Sequence, residues 1–128
     1  MPKWSDYKQH AKDRGALALE LYVAQSTPTA PPEAVRAVLP DHLAYQRRLE
    51  EAGQLAFAGP ISDATGEWME GAGMIVYRTT SLEHARELAS ADPMHREGVR
   101  NFTLVRWLIN EGSFTLLVGL STKRVALD

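Results

Sequence analysis

The order of hydrophobic patterns along this chain limits its fold more than any other feature of the sequence. Residues 16–25 alternate apolar and polar side chains, as a half-buried strand does, and a stretch with helical spacing follows up to Gly53. The next predicted elements are a strand, a strand, a helix and a strand, over 54–58, 72–79, 81–90 and 101–109. This βαββαβ order predicts an α+β fold of the ferredoxin-like type, with an antiparallel sheet against two helices.

Proline, glycine and polar residues set the predicted ends of the core helices. Pro40 fits the first position of a helix, where its missing N–H costs nothing, and Gly53 fits the stop. Before Pro40 we expect at most one or two helical turns, within 33–38. The second core helix is predicted to begin at Thr80, which forms a capping-box pattern with Glu83.

Additional elements flank this core. A short amphipathic helix is predicted over 3–14 and a further strand over 113–120. Both lie outside a core of about 16–109. The 128 residues and the 45% hydrophobic fraction are ordinary for one globular domain, so we predict a single domain over 1–128.

Large apolar side chains occur on both faces of the predicted strands, and one sheet face has no helix to cover it. The residues concerned are Phe57, Ile75, Val76, Val105, Trp107 and Leu108. A second subunit is the simplest cover for such a face, and a two-fold homodimer is therefore predicted.

Composition excludes several classes of site and partner. The absence of cysteine excludes disulfides, thiolate zinc sites and cysteine nucleophiles. A formal net charge of −2 gives no electrostatic support for nucleic-acid binding. No apolar run approaches the roughly 20 residues that span a bilayer, and the polar N-terminus lacks a signal-peptide core. A cytoplasmic location is the default expectation.

His42 and Asp92 are the first candidates for a working site. His42 lies on the apolar side of its helix, one turn from the start, and Asp92 ends the second helix before a proline. Histidine titrates near neutral pH and serves as a base or acid when a partner orients it. The residues alone leave open a core histidine and a turn aspartate.

Three segments resemble the YCII-related family: LPDHLAYQRRLEEAGQLAFAGP, GMIVYRTTSLEHARELASADP and GVRNFTLVRW. The shared motifs are P-x-H on the first helix, G-x-L and A-G-P after it, and A-D-P closing the second helix. The resemblance implies a dimeric α+β barrel of ferredoxin-like subunits. It also implies that His42 and Asp92 face one pocket and act as a pair. Met94 stands where many relatives have phenylalanine.

Further residues are candidates for contact with a substrate. Tyr45 shares the helix face of His42, where it would donate to a bound oxyanion or pack in the core. Gly59 and Pro60 end a strand and let the backbone approach a ligand closely. Pro93 follows Asp92 in the A-D-P motif and is predicted to contact the same ligand.

Charged and metal-binding alternatives involve the segment after Pro93. His95 stands three residues after Asp92, and this D-x-x-H spacing can hold a metal with His42 as a third ligand. Arg96 and Arg100 would hold a substrate carboxylate or lie at the surface. Glycine-rich phosphate loops, G-x-S-x-G and H-E-x-x-H are absent, and neither a cofactor nor a metal is predicted.

The sequence leaves the function open between different classes of protein. The first is an uncharacterised YCII-like enzyme of the lyase or isomerase type, in which His42 moves a proton on a small molecule and Asp92 orients it. The second is a non-catalytic dimer that binds a small metabolite. The third is an accessory subunit that uses its N-terminal helix and C-terminal strand to stabilise a partner.

Overall fold

The computed structural model describes residues 1–127, which form four helices and six strands. In chain order these elements are α1 (Trp4–Asp13), β1 (Leu19–Pro28), α2 (Pro32–Glu51), β2 (Leu55–Pro60), β3 (Gly73–Tyr77), α3 (Leu82–Ala91), α4 (Pro93–Arg96), β4 (Arg100–Ile109), β5 (Leu116–Val118) and β6 (Val125–Leu127). They form two compact units, one over 20–107 and one made of 1–19 and the chain from 108 onward.

The larger unit contains a four-stranded sheet with the order β2-β3-β1-β4. Strand β3 pairs antiparallel with both β1 and β2, and Ala24 of β1 faces Ile75 of β3. The predicted α+β class and βαββαβ order are confirmed. Side chains from alternate strand positions and from the inner sides of α2 and α3 form the core, and the buried ones are Tyr22, Ala24, Tyr45, Leu49, Ile75, Tyr77, Ala85 and Ala89.

Helix α2 runs without a break through Pro40, so the predicted helix start at that residue is wrong. The helix begins instead at Pro32, with Pro31 as the extended residue before it. Pro40 and the residue four positions earlier, Arg36, are both exposed. The helix bond that Pro40 cannot make is therefore lost on a side that water reaches, which limits the cost.

The start of α3 also differs from its predicted position. Ser81, not Thr80, is the N-cap, and its side chain accepts a hydrogen bond from the backbone N–H of His84 at 3.0 Å. The helix ends at Ala91, and Pro93 begins the one-turn helix α4. Asp92 between them has an extended backbone, as a residue before proline prefers.

Strand β2 contains a bulge. Leu55 faces Tyr77, but Phe57 already faces Val76, so one residue of β2 has no opposite partner. Beyond the bulge, Ala58 faces Ile75. This extra residue changes which side chains of β2 lie on each face of the sheet.

The smaller unit has its own buried cluster of Ala11, Ala18 and Leu108. Helix α1 confirms the predicted N-terminal helix. The predicted strand over 113–120 is limited to β5, and it pairs antiparallel with β6, which the sequence pattern did not reveal. Both strands are exposed along their length. No helix within residues 1–127 is long and apolar enough to cross a membrane.

The set of apolar residues predicted to lie on an uncovered face is only partly exposed. Ile75, Val76 and Leu108 are buried within the chain itself. Phe57, Val105 and Trp107 are exposed by 46%, 59% and 43%. The exposed apolar surface of the sheet is therefore smaller than the sequence pattern predicts.

Two buried tyrosines of the core give a matched test of its hydrogen bonding. The Tyr45 hydroxyl donates to the Leu88 carbonyl at 2.6 Å, which joins α2 to α3. The Tyr77 hydroxyl is buried with no partner within residues 1–127, and burial raises its pKa.

We expect Tyr45→Phe to lower the free energy of unfolding by about 1–2 kcal/mol and Tyr77→Phe to leave it unchanged or raise it. Urea unfolding of both variants checks this, and an equal loss in Tyr77→Phe would contradict it.

Candidate active site

The site is built around the buried carboxylate of Asp92, which is 1% exposed. Its position between α3 and α4 lets it accept the backbone N–H of Met94 at 3.0 Å, as an N-cap does. His42 on α2 supplies the second donor, because its Nδ1 lies 2.8 Å from each Asp92 oxygen. The structure thus brings together the two residues that the resemblance pairs.

This contact fixes the hydrogen positions of the His42 ring. An ionised carboxylate only accepts hydrogen bonds, so the proton of a neutral His42 lies on Nδ1. Nε2 is then an unprotonated acceptor, which is the atom that a general base uses. The His42 side chain is 15% exposed and lines a cavity. Asp92 therefore holds the ring through Nδ1, while a ligand in the cavity can reach the ring.

The cavity in front of His42 has a volume of about 730 Å³, which is the size of a small-molecule site. Its walls come from α2, α4 and the strands β1 to β4, and they are largely apolar. Representative wall residues are Leu39, Leu43, Ala58, Ile75 and Met94. A ligand with an apolar body fits this lining.

The predicted substrate contacts divide into two groups. Gly59 and Pro60 line the cavity, at the end of β2 where they were expected. Tyr45 and Pro93 lie outside its lining, so the structure gives no support for their contact with a ligand. The reason is packing: the Tyr45 hydroxyl is bound to Leu88 in the core, and Pro93 is buried at the start of α4.

His95 makes hydrogen bonds within the protein and does not have the contacts of a metal ligand. Its Nδ1 lies 2.7 Å from the Ala89 carbonyl and its Nε2 lies 2.8 Å from the Ser26 hydroxyl. Both ring nitrogens are therefore engaged. Within residues 1–127 there is no group of three histidine or acidic side chains that could hold a metal, so the D-x-x-H spacing does not produce such a site.

Arg96 and Arg100 also have different environments. Arg96 is exposed, lies outside the cavity lining and pairs with Glu97 at 3.5 Å. Arg100 lines the cavity and donates from Nε to the Ser26 hydroxyl at 2.8 Å. Ser26 is buried in β1, although the strand predicted over 16–25 ends one residue before it. The signal that could have found it is its place in the alternation Tyr22, Ala24, Ser26, where a polar residue occupies a core-facing position.

The environment of His95 predicts how stability depends on pH. Burial lowers the pKa of His95 below its ordinary value of 6.5. Between that lowered pKa and 6.5 the unfolded chain binds more protons than the folded one, so the free energy of unfolding falls as the pH falls through this window. We expect His95→Gln to remove this part of the pH dependence. Urea unfolding between about pH 7 and about pH 5 measures it, and identical slopes in both proteins would contradict the expectation.

The chain is similar to a known protein family, to a curated protein and to a solved structure. The YCII-related domain profile matches residues 6–108. The uncharacterized protein YjpA of Bacillus subtilis (strain 168) is 34% identical over 70 residues, which is 55% of this chain and 75% of that protein. A similar fold occurs in the 5-chloro-2-hydroxyhydroquinone dehydrochlorinase TftG of Burkholderia phenoliruptrix AC1100, in complex with 2,5-dihydroxybenzoquinone. That likeness has a TM-score of 0.51 at 19% identity and covers 68% of this chain and 92% of the other.

Proposed function

The chain belongs to the YCII-related domain family, and we propose that it is a small-molecule lyase or isomerase in which His42 transfers a proton and Asp92 orients the ring. One observation carries the proposal. His42 Nδ1 lies 2.8 Å from both oxygens of a buried carboxylate while the same ring lines a cavity of ligand size. A histidine held in this way is a positioned general base.

The chemistry follows from the fixed tautomer of His42. Nε2 removes a proton from a carbon of the substrate, and the Asp92 carboxylate stabilises the imidazolium that forms. In an elimination the electrons of the broken C–H bond form a new double bond, and the leaving group departs as an anion. In an isomerisation Nε2 returns the proton to a different atom of the substrate. Both reactions are redox-neutral, so the proposal includes no cofactor.

The fold neighbour supports the substrate class. TftG is a dehydrochlorinase and its structure holds a quinone. For this chain we therefore propose a small, cyclic, conjugated substrate. The apolar walls of the cavity and its volume of about 730 Å³ support a ring of that kind.

The first test removes the base and its orienting partner separately. We expect His42→Ala to lower kcat/KM by about 10²–10⁴-fold, the usual contribution of a general base. Asp92→Asn keeps an acceptor for Met94 but loses the carboxylate that orients the His42 ring, so turnover should fall. The assay follows chloride release from chlorinated hydroxyhydroquinones. His10→Ala, a change on α1 outside the cavity, is the control.

The outcomes separate catalysis from simple binding. Full turnover in both His42→Ala and Asp92→Asn would refute the His–Asp mechanism. Binding of 2,5-dihydroxybenzoquinone by the wild type, without product from any compound tested, would favour the non-catalytic metabolite-binding alternative. The largely apolar lining of the cavity supports that alternative, because such a lining can bind a small molecule without catalysis.

We also propose that the protein acts as a cytoplasmic homodimer, with the exposed apolar side chains of the sheet covered by a second copy. Phe57, Val105 and Trp107 are the exposed residues that support this. Sedimentation velocity should give a particle of twice the 14.2 kDa chain mass. Val105→Asp should shift it toward the monomer, whereas Arg47→Asp, on the exposed side of α2, should not. A monomeric wild type would contradict the proposal.

A further inference from the structure

A second polar group faces the cavity that His42 lines. It consists of Ser26 at the end of β1 and Arg100 at the start of β4, and His95 supports it from behind. Neither the proposed proton transfer nor the core needs a cationic side chain at this place.

The hydrogen-bond directions within the group follow from His95. A carbonyl only accepts, so His95 Nδ1 carries a proton and donates it to Ala89 at 2.7 Å. Burial favours the neutral ring, so Nε2 accepts and the Ser26 hydroxyl donates to it at 2.8 Å. The Ser26 oxygen in turn accepts from Nε of Arg100 at 2.8 Å. His95 therefore holds the Ser26 hydroxyl in the orientation that binds Arg100.

The other contacts of Arg100 hold its guanidinium in place without neutralising it. Nη2 donates to the Ser26 carbonyl at 2.8 Å and also to the Gly71 carbonyl. All three acceptors are uncharged. Asp92 is the acidic group whose charge acts on Arg100, but its oxygens are bound to His42 and Met94. Within residues 1–127 no carboxylate forms an ion pair with Arg100.

A partly buried cation on an apolar wall favours an anion in front of it. Burial lowers the pKa of Arg100, which reflects the cost of holding this charge away from water. A ligand oxyanion would offset that cost, because charge-assisted hydrogen bonds from arginine are stronger than neutral ones. Nη1 is the guanidinium nitrogen that has no partner among the described residues.

We propose that Arg100 binds an anionic oxygen of the ligand through Nη1, so that the ligands of this protein are small anions with an apolar body. The oxygen belongs to a carboxylate, phenolate or enolate. Ser26 and His95 are positioning residues that keep the guanidinium plane fixed. Where the proposed function also holds, Arg100 would stabilise the negative charge that develops as His42 removes a proton.

The test compares two probes of nearly the same shape, the anion 2-naphthoate and the neutral 2-naphthamide. By calorimetric or NMR titration, the wild type should bind the carboxylate about tenfold or more tightly than the amide. Arg100→Met should abolish this preference while it keeps the amide affinity, which shows that the cavity is intact. Arg96→Met is the matched control, because Arg96 is exposed and lies outside the cavity.

Two further variants separate positioning from direct contact. Ser26→Ala should reduce carboxylate affinity and leave amide affinity unchanged, since it removes the acceptor of Arg100 Nε. Arg100→Lys keeps the positive charge but loses the planar guanidinium with its several N–H donors. Its preference for the carboxylate should therefore lie between those of the wild type and Arg100→Met.

The outcomes that overturn the inference are clear. Equal binding of both probes by the wild type, binding of neither, or an equal loss in Arg96→Met and Arg100→Met would each refute it. His42→Ala separates it from the proposed function. A carboxylate preference that persists in that variant supports the anion site even if no turnover is ever found, and turnover without any preference would refute the anion site alone.

Discussion

A carboxylate removed from water must find hydrogen-bond donors, and the way Asp92 meets this requirement organises the whole site. Its oxygens take the backbone N–H of Met94 and the ring N–H of His42. The first contact caps the start of α4 at Pro93, and the second ties α2 to the junction of α3 and α4. If either donor were lost, the buried charge would be only partly compensated, and an under-satisfied buried charge is among the most costly defects in a protein interior. The same bond that stabilises the junction also sets the tautomer of His42.

The lining of the cavity therefore contains two polar groups of different character. One is the His42 ring, whose Nδ1 is bound to Asp92, and the other is the guanidinium of Arg100. Apolar residues such as Leu39 and Ile75 form much of the rest of the lining. Under the proposed function, this combination of His42, Arg100 and an apolar lining suits a substrate that gains negative charge when it loses a proton. The fold itself, which TftG shares at 19% identity, accommodates this arrangement but does not dictate it.

The order of elements was predictable because apolar periodicity differs between helices and strands, and the position of His42 followed from the same periodicity. The continuation of α2 through Pro40 was not predictable from the local rule, since the rule ignores that the unmade bond lies on an exposed side. The contact between His42 and Asp92 joins residues 50 positions apart, and spacing alone carries no information about it. Ser26 was missed because a polar residue near prolines is typical of a loop, whereas its hydrogen bonds to His95 and Arg100 make it a buried strand residue.

The bulge in β2 decides how much room the site has. A strand presents its side chains to alternate faces, so one unpaired residue reverses the parity of everything that follows. After the bulge Ala58 faces Ile75 and lines the cavity, and Phe57 lies opposite Val76 on the other face. If residue 56 paired opposite Val76 in a regular ladder, Phe57 would face Ile75 instead, and its ring would lie on the side of the sheet that lines the cavity, in the space that alanine leaves empty. The width of the binding site is thus set by the register of β2 at its edge.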